Sequence, residues 1–200
     1  MHPLIRRYRW LGLFFLSYLL FFAIWAVRAS NAEFVLYLAV EVVLAAAVLV
    51  VDVRCRLPMR LLWALAFWGL IHAMGGLVPV GDSVLYNWRP APALPKFDQV
   101  VHAYGFAVAT FVGWFAMKAA TGFDGRVGFG LWFLLVTIGM GFGALNEIVE
   151  FAAVLLIPDT NVGGYMNTGW DLVSNLVGCV IAATVIAWGQ REKSATPTPP

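Results

Sequence analysis

Six apolar runs, each long enough to cross hydrocarbon, dictate what this chain can fold into. They cover approximately residues 10–27, 34–51, 61–77, 97–119, 127–151 and 170–188. A helical span needs about 20 apolar residues because each helical residue rises about 1.5 Å. In lipid every backbone N–H and C=O must find its partner within the chain, which leaves helices and closed barrels as the only spanning structures. Barrel strands alternate apolar and polar residues, and these runs do not. The expected fold class is therefore all-α, a polytopic bundle of about six transmembrane helices. Composition agrees: 62% of the residues are hydrophobic and 12% charged, whereas roughly a quarter are charged in soluble domains. Only short polar breaks separate the runs, so residues 1–190 read as a single integral membrane domain. Residues 191–200 end in ATPTPP, which cannot continue a helix, and read as a disordered cytoplasmic tail.

Lys and Arg orient the bundle, since cytoplasmic loops retain them and translocated loops do not. With the N-terminus inside, Arg6, Arg7, Arg9, Arg54, Arg56, Arg60, Lys118, Arg126, Arg191 and Lys193 fall on the cytoplasmic side. Arg28, Arg89 and Lys96 fall outside. This bias predicts an N-in/C-in topology, and the net charge of +2 reflects it rather than a nucleic-acid surface. The charged start MHPLIRRYRW resembles a signal peptide, but an apolar run of about 17 residues suits a retained anchor. Cys55 is expected in a cytoplasmic loop and Cys179 in mid-span, too far apart for a disulfide.

Topology places the ionisable groups in depth. The fifth span starts inside, so Glu147 lies about 30 Å along it, at the outer edge of the hydrocarbon, and Glu150 one turn further out. The fourth span starts outside, so Asp98 sits in its first turn and His102 about 6 Å deeper on the same face. Asp171 and Asn175 repeat that spacing at the start of the sixth span. His72 is about 17 Å from the cytoplasmic end of the third span, and Glu41 about 10 Å inside the outer end of the second. A charge in hydrocarbon costs a few kcal/mol and must face protein or water. Convergence of these groups in one leaflet predicts a polar cavity open to the extracytoplasmic side.

Each group also has a plainer role available. Asp98 and His102 suit a helix-start acid bonded to an imidazole. Asp171 and Asn175 suit interhelical hydrogen bonding, and His72, just before Met74, Gly75 and Gly76, suits a helix end. Glu147 and Glu150 share a face and repel unless a cation, a basic partner or a proton intervenes. The glycines at 128, 130, 139, 141 and 143 suit close approach of the fifth helix to its neighbours. The outer loop GDSVLYNWRPAPALPK reads as an irregular cover over the cavity mouth.

As a chemical set, His72, Asp98, His102, Glu147 and Asp171 suit zinc, or harder ions such as magnesium or manganese. A metal so held activates water at neutral pH, with Glu147 or Glu150 as catalytic base, in a metal-dependent hydrolase. Asn175, Arg89 and Lys96 are the expected substrate-binding groups, the two cations suiting phosphate. Membrane lipids and a lipid-linked or cell-wall precursor entering from the outer leaflet are the expected partners. A proton-coupled transporter is an alternative from another class, with His102 and the glutamates relaying protons.

The segments IHAMGG, FDQVVHAYGF, NEIVEF and NTGWDLVSNLVG, in that order, resemble the YjdF-like bacterial inner-membrane proteins, a family of unknown function. They are more distantly similar to the VanZ-like proteins associated with glycopeptide resistance. The resemblance implies a multi-pass protein of the bacterial cytoplasmic (inner) membrane, with a polar set at His72, Asp98, His102, Glu147, Glu150 and Asp171. Asn167 stands where the family commonly has Asp. The VanZ-like similarity implies one more function, non-catalytic binding of an envelope lipid or cell-wall precursor.

Overall fold

A computed structural model describes residues 3–195. Among the described residues there are six α-helices: α1 (Pro3–Arg28), α2 (Ala32–Cys55), α3 (Met59–Leu77), α4 (Phe97–Thr121), α5 (Phe129–Leu156) and α6 (Tyr165–Ala195). All six are long and apolar enough to cross a membrane, so the protein is an all-α, multi-pass membrane protein. Each expected run lies within or nearly within its helix. The differences are largest at the two ends, where α1 starts at Pro3 and α6 continues to Ala195. The segment after Arg191 that was expected to be disordered is thus helical at its start, and residues 196–200 lie outside the described residues. Arg and Lys among the last turns oppose no helix, and the ring of proline reaches the chain only beyond them.

The faces turned away from the bundle are apolar, with Leu16, Leu20, Phe133, Leu155 and Trp188 more than half exposed, as hydrocarbon requires. The centre is α4: 56% of its span is buried against 17% for α1 and for α2. It carries the buried stretch Val101, His102, Gly105, Phe106, Val108, Ala109 and Thr110. Against it α6 comes closest, because Gly178 brings the two backbones together. A Cβ on Gly178 would stand 1.9 Å from the carbonyl oxygen of Ala103. In lipid, where apolar side chains gain nothing from leaving water, such close backbone packing is what holds helices together.

The glycine series of α5 behaves unevenly. Gly139 seats Thr110 and Cys179, and Gly143 seats the amide of Asn175. Gly128, Gly130 and Gly141 have nothing within 4 Å of a Cβ, so only two of the five glycines serve close approach. Their positions explain it, since 139 and 143 are one turn apart on the face turned to α4 and α6. Cys55 and Cys179 are both free, as their separation required.

At the end of the bundle where the chain begins, Arg7 reaches the buried Asp52 with Nη2 at 2.9 Å from Oδ1. The same nitrogen donates to the carbonyl of Leu57 at 2.9 Å, and the Tyr8 hydroxyl donates to Asp52. The turn between α2 and α3 is tight, with Arg56 left-handed at φ 49°. Deeper in the bundle the Tyr18 hydroxyl donates to Glu41. Gly69 makes room for that pair, since a Cβ there would stand 1.9 Å from Glu41 Oε1.

The loop after α3 is more ordered than an irregular cover. A two-residue hairpin pairs β1 (Pro79–Val80) with β2 (Ser83–Val84) around Gly81 at φ 58°. A 3-10 turn at Leu85–Asn87 follows and inserts Tyr86 into the core against Phe34 and His72. The proline-rich remainder, 89–95, is exposed.

Candidate functional site

Three helix ends build the polar site: the starts of α4 and α6 and the end of α5. This is the end that the charge bias expects on the outer side. Helical spacing puts Asp98 one turn from His102, and Asp171 one turn from Asn175. Gly178 and Gly143 then let these turns meet. His102 is central and buried. Its Nε2 lies 3.6 Å from Asp98 Oδ1 and 3.7 Å from Glu150 Oε1. Its Nδ1 lies 3.8 Å from Glu147 Oε1 and is hydrogen-bonded to Asn175 Oδ1 at 3.1 Å.

Amides support most of the carboxylates. Asn167 donates through Nδ2 to Asp171 Oδ2 at 2.6 Å and to Asp98 Oδ2 at 3.4 Å, while its own Oδ1 accepts from Lys96 Nζ at 3.2 Å. Asn146 donates to Glu150 Oε1 at 2.8 Å. Both oxygens of Glu147, Oδ1 of Asp171 and Nδ2 of Asn175 are buried without a hydrogen-bond partner among the described residues. Among the described residues two triads have ligand atoms mutually within 4.8 Å: Asp98, His102 and Asp171, and His102, Glu147 and Glu150. One imidazole is therefore shared by four carboxylates.

Asp98, His102, Glu147, Glu150, Asp171 and Asn175 thus come together as their depths implied. Three other candidates do not join them. His72 bonds the Tyr86 hydroxyl through Nδ1 and packs on Phe34 and Tyr37, so it belongs to neither triad. Arg89 is exposed and reaches only the carbonyl of Pro92 in its own loop, at 3.5 Å, because three prolines turn that segment away from the bundle. Lys96 bonds none of the six directly and meets the cluster through Asn167, which its Nζ approaches to 3.2 Å, close enough for its charge to act on Asp171.

The open polar cavity expected from the sequence is corrected as well. The space between His72 and His102, lined also by Trp68, Val101, Phe106 and Asn146, measures about 10 Å³, enough for about one water. Trp68 fills the volume left by Gly105. Above the site the two outer loops are tied down: Glu33 accepts the backbone N–H of Asn161 at 2.8 Å, and Asn87 donates to Asn161 Oδ1 at 3.0 Å.

Asn146, Asn167, Tyr86 and Glu33 were not among the expected site residues. The two asparagines carried a signal, since each precedes a carboxylate by four residues, one helical turn. Tyr86 and Glu33 carried none, because their contacts cross between distant segments.

Tyr86 lies outside the spans. Burial pushes its hydroxyl well above the ordinary tyrosine range, with the negative charges of Asp98 and Glu150 adding to the effect. The stability this contributes is present below the unfolded value of about 10 and is lost as pH rises above it. Tyr86→Phe is therefore expected to flatten the alkaline loss of monodisperse protein in detergent. Equal steepness in both proteins would refute the assignment.

The model of a family described as "Predicted membrane protein (DUF2238)" matches residues 10–192. No curated protein and no solved structure matches the chain.

Proposed function

The chain belongs to the DUF2238 family of predicted membrane proteins, and from that premise we propose that it binds a divalent metal in the extracytoplasmic leaflet and hydrolyses or otherwise modifies a lipid-linked envelope substrate. The observation that carries the reading is the buried, unpartnered Oδ1 of Asp171, which belongs to one group of donors with Asp98 and His102. Buried carboxylates without partners are costly, and costlier in hydrocarbon. One imidazole and four carboxylates form a donor set that fits zinc, and equally magnesium or manganese. A bound ion would supply a Lewis acid, and zinc would acidify its bound water to about pKa 7. Within this reading Glu147 is the general base, as the carboxylate with no bond to lose. The YjdF-like identification and a place in the bacterial inner membrane go with it.

A second reading is non-catalytic binding of an envelope lipid or cell-wall precursor, as the VanZ-like similarity suggests, although the volume of about 10 Å³ beside His102 holds no more than about one water. A head group enters such a site only if the outer loops part.

Metal analysis of protein purified in detergent is the test. Stoichiometric zinc, manganese or magnesium is expected in the wild type, with most of it lost in Asp98→Asn. No metal in the wild type, even after reloading with each ion, overturns the proposal. Turnover of a lipid diphosphate that stops in Glu147→Gln while metal is retained supports hydrolysis over binding alone.

A further inference from the structure

The five donors of the site are not equivalent. Resting on the metal-binding reading above, we infer that His102 ligates through Nε2 beside Asp98, Glu150 and Asp171, that Asn175 is a positioning residue holding Nδ1–H, and that Glu147 stands outside the ligand set.

The two ring nitrogens have different surroundings. Nδ1 is engaged, at 3.1 Å from Asn175 Oδ1. An amide oxygen is an acceptor only, so Nδ1 carries the proton, and in the neutral ring that a metal requires Nε2 holds the lone pair. Metal-bound histidines show this arrangement repeatedly, with the second ring nitrogen donating to a carbonyl or carboxylate that fixes the tautomer and the ring plane. Nε2 forms no hydrogen bond with the described residues. Asp98 Oδ1 and Glu150 Oε1 stand 3.6 and 3.7 Å from it, too far for a hydrogen bond. Ligand atoms sharing a tetrahedral ion at bond lengths of about 2.0–2.1 Å lie about 3.4 Å apart. Asp171 belongs to the same group, with Asp98 and His102.

The amides divide the carboxylates in the same way. Asn167 holds one oxygen each of Asp98 and Asp171, and Asn146 holds Glu150. The other oxygen of Asp171 is left without a partner among the described residues, and that of Asp98 faces His102 Nε2. Ligating carboxylates are oriented by such outer hydrogen bonds, whereas Glu147 has none on either oxygen. It also lies on the Nδ1 side of the ring, away from the lone pair.

The test uses the full chain in detergent, with zinc for affinity and copper(II) for pulsed electron paramagnetic resonance. Glu150→Gln is expected to lose metal, and Glu147→Gln to retain it. Asn175→Leu is expected to weaken binding about 10- to 100-fold and to alter the remote-nitrogen signal of the bound imidazole. Asn175→Asp, which keeps an acceptor of the same shape, is expected to restore both. Metal loss in Glu147→Gln as deep as in Glu150→Gln overturns the inference, as does an Asn175→Leu protein with wild-type affinity and signal. The comparison of the two glutamates stands even where Asn175→Leu fails to fold. A wild type that binds neither ion overturns the metal reading itself; binding with the wrong pattern of variants overturns this assignment alone.

Discussion

Gly178→Ala is expected to destabilise the fold severely, although it adds a single methyl group. The new carbon would lie 1.9 Å from the carbonyl oxygen of Ala103, 2.8 Å from its carbon and 3.0 Å from its Cα. All three are backbone atoms of a buried helix, so no rotamer change relieves the contact, and α4 and α6 must separate. A destabilisation of about 4 kcal/mol or more is expected, at the exceptional end for a single substitution. For a chain of this size that lowers the midpoint of thermal unfolding in detergent by on the order of 10 °C. Gly141→Ala is the control, because a Cβ there meets nothing within 4 Å. It is expected to be neutral or to stabilise by about 0.5–1 kcal/mol through helix propensity. The same separation would pull Asn175 from His102 and Asp171 from Asp98, so metal content should fall with stability. A Gly178→Ala protein that melts like the wild type would refute the proposed packing of α4 on α6.

Hydrophobic run length made the helices legible because the bilayer imposes one dominant requirement, internal satisfaction of the backbone over about 30 Å. Charge bias then ordered the runs in depth, which is why Asp98, His102, Glu147, Glu150, Asp171 and Asn175 were found together. Depth alone does not fix rotation about each helix axis. His72 shares the leaflet, yet Tyr86 occupies its ring nitrogen, and Tyr86 arrives from a loop that carries no helical period. Rotation also decided which α5 glycines matter: 139 and 143 face α4 and α6, while 128, 130 and 141 do not. The open cavity failed for a related reason. Volume depends on how side chains such as Trp68 fill what Gly105 leaves, and that is a property of the packed bundle rather than of any one segment.

Asp52 was hidden by a boundary, since it lies one residue past the apolar run that ends at 51 and so looked like a loop residue. The helix continues to Cys55 and carries Asp52 into the bundle, where its side chain is fully buried beside Arg7. Removing one member of such a pair strands the other, and Arg7→Gln is expected to cost about 3 kcal/mol, the lower part of the range for buried pairs. The lower part applies because the Arg7 side chain is 36% exposed and its charge remains partly hydrated. Asp52→Asn alone leaves the guanidinium its bond to the Leu57 carbonyl, so its cost should be smaller. In the double variant the uncompensated charge is gone, and most of the loss from Arg7→Gln should be recovered. Thermal unfolding of the four proteins in detergent measures this coupling, expected between about 0.5 and 3 kcal/mol. Strictly additive effects would mean that Arg7 and Asp52 do not act as a pair. Coupling would mean that the start of α1 is fastened to the turn between α2 and α3 by one buried charge, at the opposite end of the bundle from the His102 cluster. The substitutions should then lower stability without changing the number of metal ions bound per folded chain.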